Sequence, residues 1–436
     1  MMKRFLICVL AVLSVSISSG CGGNTDDTSN TENTVKNVET KTKNENNEEK
    51  KIDKSSFVTE YKIEDAKDGY FIVSKLDGKL YGLIDSKGKE VIPLEYDNIN
   101  FPESKKANAV IVKTEGKMGL YDYKGKEILP LEYEEILNHG ANSNLYLVQK
   151  KSVQSLVDLT GKERKRLSGN YDAVINNTFL VIGLNSYVNN EYRCSSAYNF
   201  DEQLLYDTIH ETAEYNEIIC LNNVDGFMKL LDYESKTPHS CLMNGLGEII
   251  FTSSQIDQSY WDIHSLQNNN LFSVLGSQQY MYNVSTGKFS ETAYKGIVSA
   301  DDNTIIASRI DNNADVYDSN GNLKMTIELD AESLIIGNNS SMIIAEYGDT
   351  YRIYNDKGNQ VSDERFLDAE FDKGFLILQN LDGKYGLMDN EGNMRIPFGE
   401  MGENSYNGKK WDETYVFGDT FCIVTENDDG STVWMF

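Results

Sequence analysis

Carboxylates are the most numerous side chains in this sequence that could act in catalysis. The chain has 68 Asp and Glu residues and 41 Lys and Arg residues. Paired carboxylates hydrolyse glycosidic bonds, one acting as the acid and the other as base or nucleophile. Five aspartates recur where an apolar stretch runs into a turn that ends in glycine. Since a side chain at the start of a tight turn accepts hydrogen bonds from the turn's amides, this recurrence predicts a structural role and not catalysis. The five are Asp85, Asp122, Asp158, Asp318 and Asp389.

Other patterns of catalysis and ligand binding are missing from the sequence. It has no Gly-x-Ser-x-Gly, no phosphate-binding Gly-x-x-x-x-Gly-Lys-Ser/Thr and no His-Glu-x-x-His. Its histidines and cysteines are scattered and not clustered as zinc ligands are, so we predict no catalytic residues, no metal and no cofactor. We expect the later cysteines to be buried free thiols, with a disulfide among the first three as the alternative in an exported chain. These cysteines are Cys194, Cys220, Cys241 and Cys422.

The aspartates belong to a unit that recurs about every 38 residues. The segment from Gly78 to Tyr96 returns between Gly116 and Tyr133, and both Gly82 and Pro93 have counterparts 37 residues later. Strand-forming residues lead into Asp85-Ser86-Lys87-Gly88, which predicts a β-hairpin. Because Pro93 has no amide hydrogen, the chain must leave the sheet at this point or run along its edge.

Nine copies of this hairpin can be followed along the chain, with the turn glycine as the anchor. In the fourth and most degenerate copy, Glu202 stands where the glycine should be. The spacing is longest between residues 161 and 247, so insertions are expected there, and loops that depart from a regular scaffold are where binding surfaces tend to lie. The anchors are Gly88, Gly125, Gly161, Glu202, Gly247, Gly287, Gly321, Gly358 and Gly392.

The predicted fold class is all-β, with about eight or nine units of three to four short strands. Both faces of the strands are apolar, as where Leu80 and Ile84 alternate with Tyr81 and Leu83, so each sheet needs neighbours on both sides. The best-preserved units lie near the two ends, whereas an open solenoid needs polar caps there. The sequence therefore favours a closed β-propeller, with an open β-hairpin solenoid as the alternative.

The unit resembles the bacterial WG repeat, which is named for a Trp-Gly pair in its first strand. The resemblance is specific at residues 78–97, 116–135 and 383–398. Tyr81, Met118 and Tyr385 replace the tryptophan, which makes these units divergent members. The resemblance implies a β-repeat module that is common in secreted and surface proteins and has no single activity attached to it.

Residues 1–20 have the pattern of an export signal, with Lys3 and Arg4 before an apolar run that is too short to span a bilayer. The run leads to Ile17-Ser18-Ser19-Gly20-Cys21, which resembles the lipobox of bacterial lipoproteins, with Ser18 in place of the usual aliphatic residue. The resemblance implies cleavage before Cys21 and attachment of a lipid such as palmitate to it. An ordinary signal peptide with an incidental cysteine is the alternative.

Residues 21–56 follow as the lipidated cysteine and a polar tether, which has too few apolar residues to build a core. Such a coil has a root-mean-square span on the order of 30 Å. Residues 57–436 then form the WG-repeat domain. The formal net charge of −27 argues against binding to nucleic acid and against electrostatic adhesion to anionic lipid.

These features predict a monomeric lipoprotein, held through Cys21 on the extracytoplasmic face of a bacterial cell membrane. Its β domain is expected to bind or display a protein or envelope glycan and not to act as an enzyme. Exposed members of its 26 tyrosines could stack on sugars. The alternative is a surface carbohydrate-active enzyme, in which carboxylates from different units meet in one pocket. A third hypothesis, signal sensing for a membrane partner, shares the anchor.

Overall fold

The computed structural model describes residues 54–188, 191–209, 214–221, 224–232, 239–252, 262–266, 270–276, 278–301 and 303–436. Over these ranges the chain forms strands and turns and contains no helix. Accordingly, no helix in the described ranges is long and apolar enough to cross a membrane. The predicted export signal, Cys21 and nearly all of the predicted tether lie outside the described residues. The first strand begins at Ser55, two residues before the predicted start of the domain.

The strands of the described ranges form ten modules, each built around a small antiparallel sheet, which we number I to X in chain order. Modules I to V contain the following strands: in I, β2 (Lys62–Lys67), β3 (Tyr70–Ser74), β4 (Tyr81–Asp85) and β5 (Glu90–Tyr96); in II, β6 (Asn98–Asn100), β7 (Ala109–Thr114), β8 (Lys117–Asp122) and β9 (Glu127–Tyr133); in III, β10 (Glu135–Leu137), β11 (Leu145–Lys150), β12 (Val153–Asp158) and β13 (Glu163–Arg166); in IV, β14 (Ala173–Ile175), β15 (Phe179–Ile182), β18 (Ser196–Tyr198) and β19 (Leu204–Asp207); in V, β20 (Glu217–Leu221), β21 (Phe227–Asp232), β22 (His239–Asn244) and β23 (Ile249–Thr252).

The later modules are joined in pairs, because single bridges from Gln279 to Tyr294 and from Tyr351 to Phe366 link VI to VII and VIII to IX. Their strands are as follows: in VI, β24 (Asp262–Ser265), β25 (Leu271–Leu275), β26 (Gln279–Asn283) and β27 (Lys288–Phe289); in VII, β28 (Tyr294–Asp301), β29 (Thr304–Arg309), β30 (Ala314–Asp318) and β31 (Leu323–Ile327); in VIII, β32 (Ser333–Ile336), β33 (Met342–Tyr347) and β34 (Thr350–Asn355); in IX, β35 (Phe366–Asp372), β36 (Phe375–Asn380), β37 (Tyr385–Met388) and β38 (Met394–Gly402), extended by β39 (Ser405–Tyr406) and β40 (Lys409–Lys410); in X, β41 (Glu413–Phe417), β42 (Thr420–Asn427), β43 (Gly430–Met435) and β1 (Ser55–Thr59).

The second strand of each module packs against both neighbouring modules. In β3, Phe71 and Val73 belong to a buried cluster shared with module X, and Ile72 belongs to one shared with module II. In β7, Val110 packs toward module I and Ala109 toward module III. Successive strand residues point to opposite faces, so a strand that is apolar throughout serves two interfaces. The prediction that both faces are covered is confirmed.

The modules form a closed ring. Strand β1 pairs antiparallel with β43, from Ser55 opposite Met435 to Thr59 opposite Ser431, so the last sheet takes its fourth strand from the beginning of the domain. A buried cluster that includes Phe71 and Val433 then joins module X to module I. Nine further clusters of described residues join each consecutive pair from I–II to IX–X. The fold is therefore all-β and propeller-like, and the open solenoid is excluded.

The glycine of the repeat motif lies beneath a bulge in the fourth strand. Leu83 pairs with Ile92 and Tyr81 with Tyr96, so the chain from Pro93 to Glu95 loops over Gly82. A Cβ at Gly82 would lie 2.8 Å from the Ile92 carbonyl oxygen and from Leu94 Cγ, closer than real Cβ contacts allow. Pro93 lies in the edge strand β5, as predicted, where its missing amide hydrogen costs no sheet hydrogen bond.

An inserted hairpin occupies part of the region where the spacing of the repeats is longest. Strands β16 (Ser186–Val188) and β17 (Glu191–Cys194) leave module IV between β15 and β18, and β17 pairs with β20 of module V. The prediction of an insertion between residues 161 and 247 is confirmed. In the same region Glu202 has φ of +62°, so it holds the left-handed turn conformation that glycine holds in the other copies.

Candidate functional site

The turn carboxylates predicted to be structural are hydrogen-bonded within their own turns. The Asp85 carboxylate accepts hydrogen bonds of 2.9 Å from the backbone amides of Lys87 and Lys89. This arrangement recurs in seven other modules, with asparagine replacing aspartate in three of them, so the capping role needs an oxygen acceptor and not a charge. The equivalent residues are Asp122, Asp158, Asn199, Asn244, Asp318, Asn355 and Asp389.

A second recurring set of acids precedes the first strand of a module and caps the turn between its second and third strands. Asp97 accepts a hydrogen bond of 2.9 Å from the Glu115 amide, and Glu134 accepts one of 2.6 Å from the Lys151 amide. The same contact is made by Asp172, Glu332 and Asp412. Sequence analysis missed this set, although its signal was present as an acid directly before the first strand of these five modules. The two sets together account for ten of the chain's 68 Asp and Glu residues.

A cavity of about 880 Å³ lies at the seam where modules IX, X and I meet. This seam cavity lies on the side of the ring that carries the turns between first and second strands and between third and fourth strands. Both ends of the domain reach it, because β1 begins beside the end of β43. Its lining residues are Ser55, Asp68, Gly69, Ser86, Lys87, Arg395, Phe417, Gly418, Asp419, Thr420, Met435 and Phe436.

The lining of the seam cavity combines charged groups of both signs with two phenylalanine rings. Asp68 of module I and Asp419 of module X are exposed on it, and Lys87 and Arg395 supply positive charge. Arg395 and Asp419 also line an adjoining cavity of about 150 Å³. Pockets of a few hundred to 1,000 Å³ with apolar walls and a few polar groups are typical of ligand sites.

Arg395 is positioned by the turn that precedes it. Its Nε donates a hydrogen bond of 2.8 Å to Oδ2 of Asp389, which is buried and capped by the amides of Glu391 and Asn393. The same pair occurs in module III, where Arg164 Nε donates to Oδ2 of Asp158 at 2.7 Å. There, burial opposes ionisation of Asp158, but hydrogen bonds from Thr160, Lys162 and Arg164 outweigh it and lower the pKa to about 2. Module III therefore supplies a copy of the pair outside the seam.

A second cavity of about 580 Å³ lies between modules III and IV, and half of its lining residues fall in the irregular region from 161 to 247 where binding loops were expected. The polar groups on its wall bond to the protein itself. The Gln154 amide accepts from Tyr171 N and donates to Tyr171 O, and Asp172 accepts from the Gly183 amide. We therefore favour the seam cavity as the ligand site.

Several tyrosines and histidines of the described residues are engaged in packing or in ion pairs. Burial raises the pKa of Tyr171 to about 12, and it also raises the pKa of Tyr96 and Tyr415. The described residues include no group of three or more His, Cys, Asp or Glu side chains that could hold a metal ion. His139 pairs with Glu103 at 3.1 Å, and His264 pairs with Asp262 at 3.3 Å, in different modules. The lipid-attachment residue Cys21 lies outside the described part of the chain.

Comparisons with known proteins bear out the repeat. The family model described as WG containing repeat matches residues 81–117 and 118–152, so the chain contains WG repeats. No curated protein matches the chain. Similar solved structures include a eukaryotic initiation factor (11% identity, 76% of this chain, 96% of that chain, TM-score 0.38) and BamB from Moraxella catarrhalis (12%, 88%, 98%, 0.27). Hsv2p from Kluyveromyces lactis is a third (9%, 60%, 94%, 0.28).

Proposed function

We propose that this protein is a bacterial surface lipoprotein whose WG-repeat ring binds an envelope glycan or a protein at the seam cavity, without catalysing a reaction. The N-terminal sequence supports export and lipid attachment at Cys21, and residues 22–53 supply a polar tether. The repeated turns and the interfaces between modules are occupied by structural contacts, whereas the seam cavity is an open recess. The observation that carries the proposal is this cavity of about 880 Å³, lined by three modules.

The composition of the seam cavity favours a polar ligand. Phe417 offers partly exposed apolar ring surface, and Asp68, Asp419 and Lys87 offer hydrogen-bond acceptors and donors around it. Sugars combine an apolar ring face with a rim of hydroxyl groups, so a short glycan matches this lining. A protein loop that presents an acidic residue to Arg395 matches it as well.

The first test is to place a photoreactive amino acid at position 87 and to irradiate intact cells that carry the lipidated protein. Position 124 provides the matched background, because Lys87 and Lys124 occupy the same exposed turn position in modules I and II. We expect one dominant adduct from position 87 and none from position 124. Equal adducts from both positions would remove the seam cavity from the proposal.

Photocrosslinking from position 87 also tests whether Arg395 contacts the ligand. Arg395→Ala is expected to lower capture from position 87 at least tenfold, since hydrogen bonds to charged groups contribute roughly 1.5–3 kcal/mol. Arg164→Ala is the control, because it breaks the same arginine–aspartate turn pair away from the seam. If both variants lose capture equally, the loss comes from turn stability and not from ligand contact.

Lipid attachment predicts a change in location. Cys21→Ala is expected to move the protein from the membrane fraction to the medium or the soluble envelope fraction, and to abolish its labelling with radioactive palmitate. Immunoblots of the fractions measure the distribution. Cys422→Ala leaves Cys21 in place and should leave both readouts unchanged. Palmitate labelling that survives in Cys21→Ala would contradict the assignment.

The second candidate function is hydrolysis of a surface polysaccharide. It is favoured by one observation, namely that Asp68 and Asp419 come from different modules and line one cavity. Paired carboxylates in one cleft are the requirement for glycoside hydrolysis. Shortened saccharides released by the purified protein, and lost in Asp68→Asn and Asp419→Asn, would establish this function. Captured glycan that stays intact supports the binding module.

A further inference from the structure

Glu202 of module IV places a side chain where the two preceding junctions leave no room for one. An added Cβ at Gly125 would lie 2.7 Å from the Val91 carbonyl oxygen, and one at Gly161 would lie 2.9 Å from that of Ile128. These two glycines pack against the fourth strand of the preceding module. At the junction of modules III and IV the same turn position holds Glu202, with φ of +62°. A residue with a side chain is strained in this conformation.

The Glu202 carboxylate is bound by donors that all belong to the chain leaving module III. Its Oε2 accepts hydrogen bonds from the Ser168 hydroxyl at 2.7 Å, the Gly169 amide at 2.9 Å and the Ser168 amide at 3.0 Å. The Tyr171 hydroxyl donates to the same oxygen at 3.2 Å. These hydrogen bonds, of which that from the Ser168 hydroxyl is the strongest, outweigh burial and lower the pKa of Glu202 to about 2.

A lysine adds a second link across the same junction. Lys165 lies on β13 of module III, and its Nζ donates a hydrogen bond to the carbonyl oxygen of Phe200, in the turn of module IV. The same Nζ lies 3.7 Å from Oε1 of Glu202. The carboxylate is therefore met by two backbone amides, two hydroxyl groups and a cation. Donors of these kinds, when they converge, form anion-binding sites in proteins.

The loop that supplies most of these donors, residues 167–171, is fixed by contacts on its own side of the junction. We call it the receptor loop. The Leu167 amide donates to the Gln154 carbonyl oxygen at 3.0 Å, and the Gln154 side chain bonds both the amide and the carbonyl group of Tyr171. An added Cβ at Gly169 would lie 3.0 Å from the Tyr171 hydroxyl oxygen, so glycine allows the loop to close around the carboxylate. The donors are thus preorganised.

We propose that the receptor loop is a carboxylate-binding site whose ligand is Glu202, and that this internal ligand fastens module IV to module III. The most degenerate copy of the repeat is then a specialised one, because it replaces the close packing of glycine with charge-assisted hydrogen bonds. These hydrogen bonds offset the strain of holding Glu202 in the left-handed conformation. The proposal depends neither on the lipid anchor nor on a ligand in the seam cavity.

The first test is Glu202→Gly in the full mature chain. Glycine is the residue of the other copies and is unstrained at positive φ, so the substitution would stabilise the protein if the carboxylate had no role. We expect the thermal midpoint to fall by on the order of 5 °C. Hydrogen exchange in peptides that contain Ser168 and Gly169 should become about tenfold faster. A midpoint at or above that of wild type, or unchanged exchange, would overturn the proposal.

Formate tests the receptor loop directly, because it is a free carboxylate small enough to enter the space that Glu202→Gly leaves. Sodium formate should restore slow exchange in the variant and part of the lost thermal midpoint, relative to sodium chloride at the same concentration. Wild-type protein, in which Glu202 fills the site, should respond equally to the two salts. Equal responses of the variant to formate and chloride would overturn the assignment of a carboxylate-binding site.

Two further variants separate the contact from charge and from other roles of the loop. Asp201→Asn removes the same charge from an exposed neighbouring residue and should leave the midpoint and the exchange unchanged. Ser168→Ala removes one donor and should lower the midpoint, but it should add nothing in the Glu202→Gly background. Fully additive losses would show that Ser168 acts apart from Glu202 and would contradict the proposal.

Wild-type protein alone also tests the proposal, so the outcome does not depend on whether a variant folds. The amides of Ser168 and Gly169 follow the end of β13 and donate to Glu202. We expect both to exchange slowly although they lie outside a strand. Exchange as fast as that of an unstructured peptide would overturn the proposal.

Discussion

A chain that lacks residues 22–60, and with them β1, is expected to be less stable than the intact chain by about 5 kcal/mol in its free energy of unfolding. The deletion removes five residue pairs with β43 and the contact of Phe57 with Phe71, whose ring centroids are 5.4 Å apart. It also exposes part of the cluster that joins modules X and I. Burial of each large apolar side chain contributes roughly 1.5–3 kcal/mol to the free energy of unfolding. Opening the seam exposes several such side chains, so the expected loss of stability is several kcal/mol.

Deletion of residues 22–53 alone is the control for this experiment. It shortens the chain by a similar length but keeps β1, so urea unfolding should be unchanged. The two deletions are compared by circular dichroism or tryptophan fluorescence in a urea series. Equal midpoints for the two would mean that the ring does not depend on the pairing of its ends.

Gly82→Ala is expected to destabilise the protein by about 3 kcal/mol, because the added methyl group meets the Ile92 carbonyl oxygen and Leu94. The bulge from Pro93 to Glu95 must then lift away from β4. Gly119→Ala should cost less, since the nearest backbone atom there is 3.1 Å from the added Cβ. The order of the two effects is a direct test of close packing as the reason for the glycine of the WG motif.

Gly78→Ala is the matched control on the same segment. Gly78 has φ of +68° and no atom within 4 Å of the added Cβ. The substitution is therefore expected to destabilise the protein only by the strain of holding alanine in the left-handed conformation, about 1 kcal/mol. Urea midpoints of the three variants give the comparison. A Gly78→Ala effect as large as that of Gly82→Ala would indicate that backbone conformation, and not the bulge, makes the motif glycine necessary.

The repeating parts of this fold were predictable because each copy carries its own turn chemistry. Gly88 and its counterparts mark the turn between the third and fourth strands, and even Glu202 was found at its register although it is not glycine. The nine anchors correspond to modules I to IX. Module X was missed because it has no such turn, since its fourth strand is β1.

The candidate site was not predictable from the repeat. Nothing in the repeat motif marks Asp68, Lys87, Arg395 and Asp419 as a group, and they share a cavity only because the two ends of the domain meet. A periodic sequence predicts the packing between consecutive repeat units. The seam instead joins residues that are more than 300 positions apart, and the period carries no information about their contact. The irregular spacing between residues 161 and 247 did indicate an insertion, but not that its hairpin would pair with the next module.

The pairing of β1 with β43 also sets the order of events during synthesis. About 380 residues separate Ser55 from Met435, and ribosomes take roughly 20–75 s to add that many. Throughout this interval β1 lacks its partner strand, and its Val58 is 76% exposed even in the finished ring. A strand-forming segment left waiting is an aggregation hazard that flanking charged residues suppress. The sequence before Ser55 is rich in polar and charged residues, which is the kind of flank that reduces this hazard.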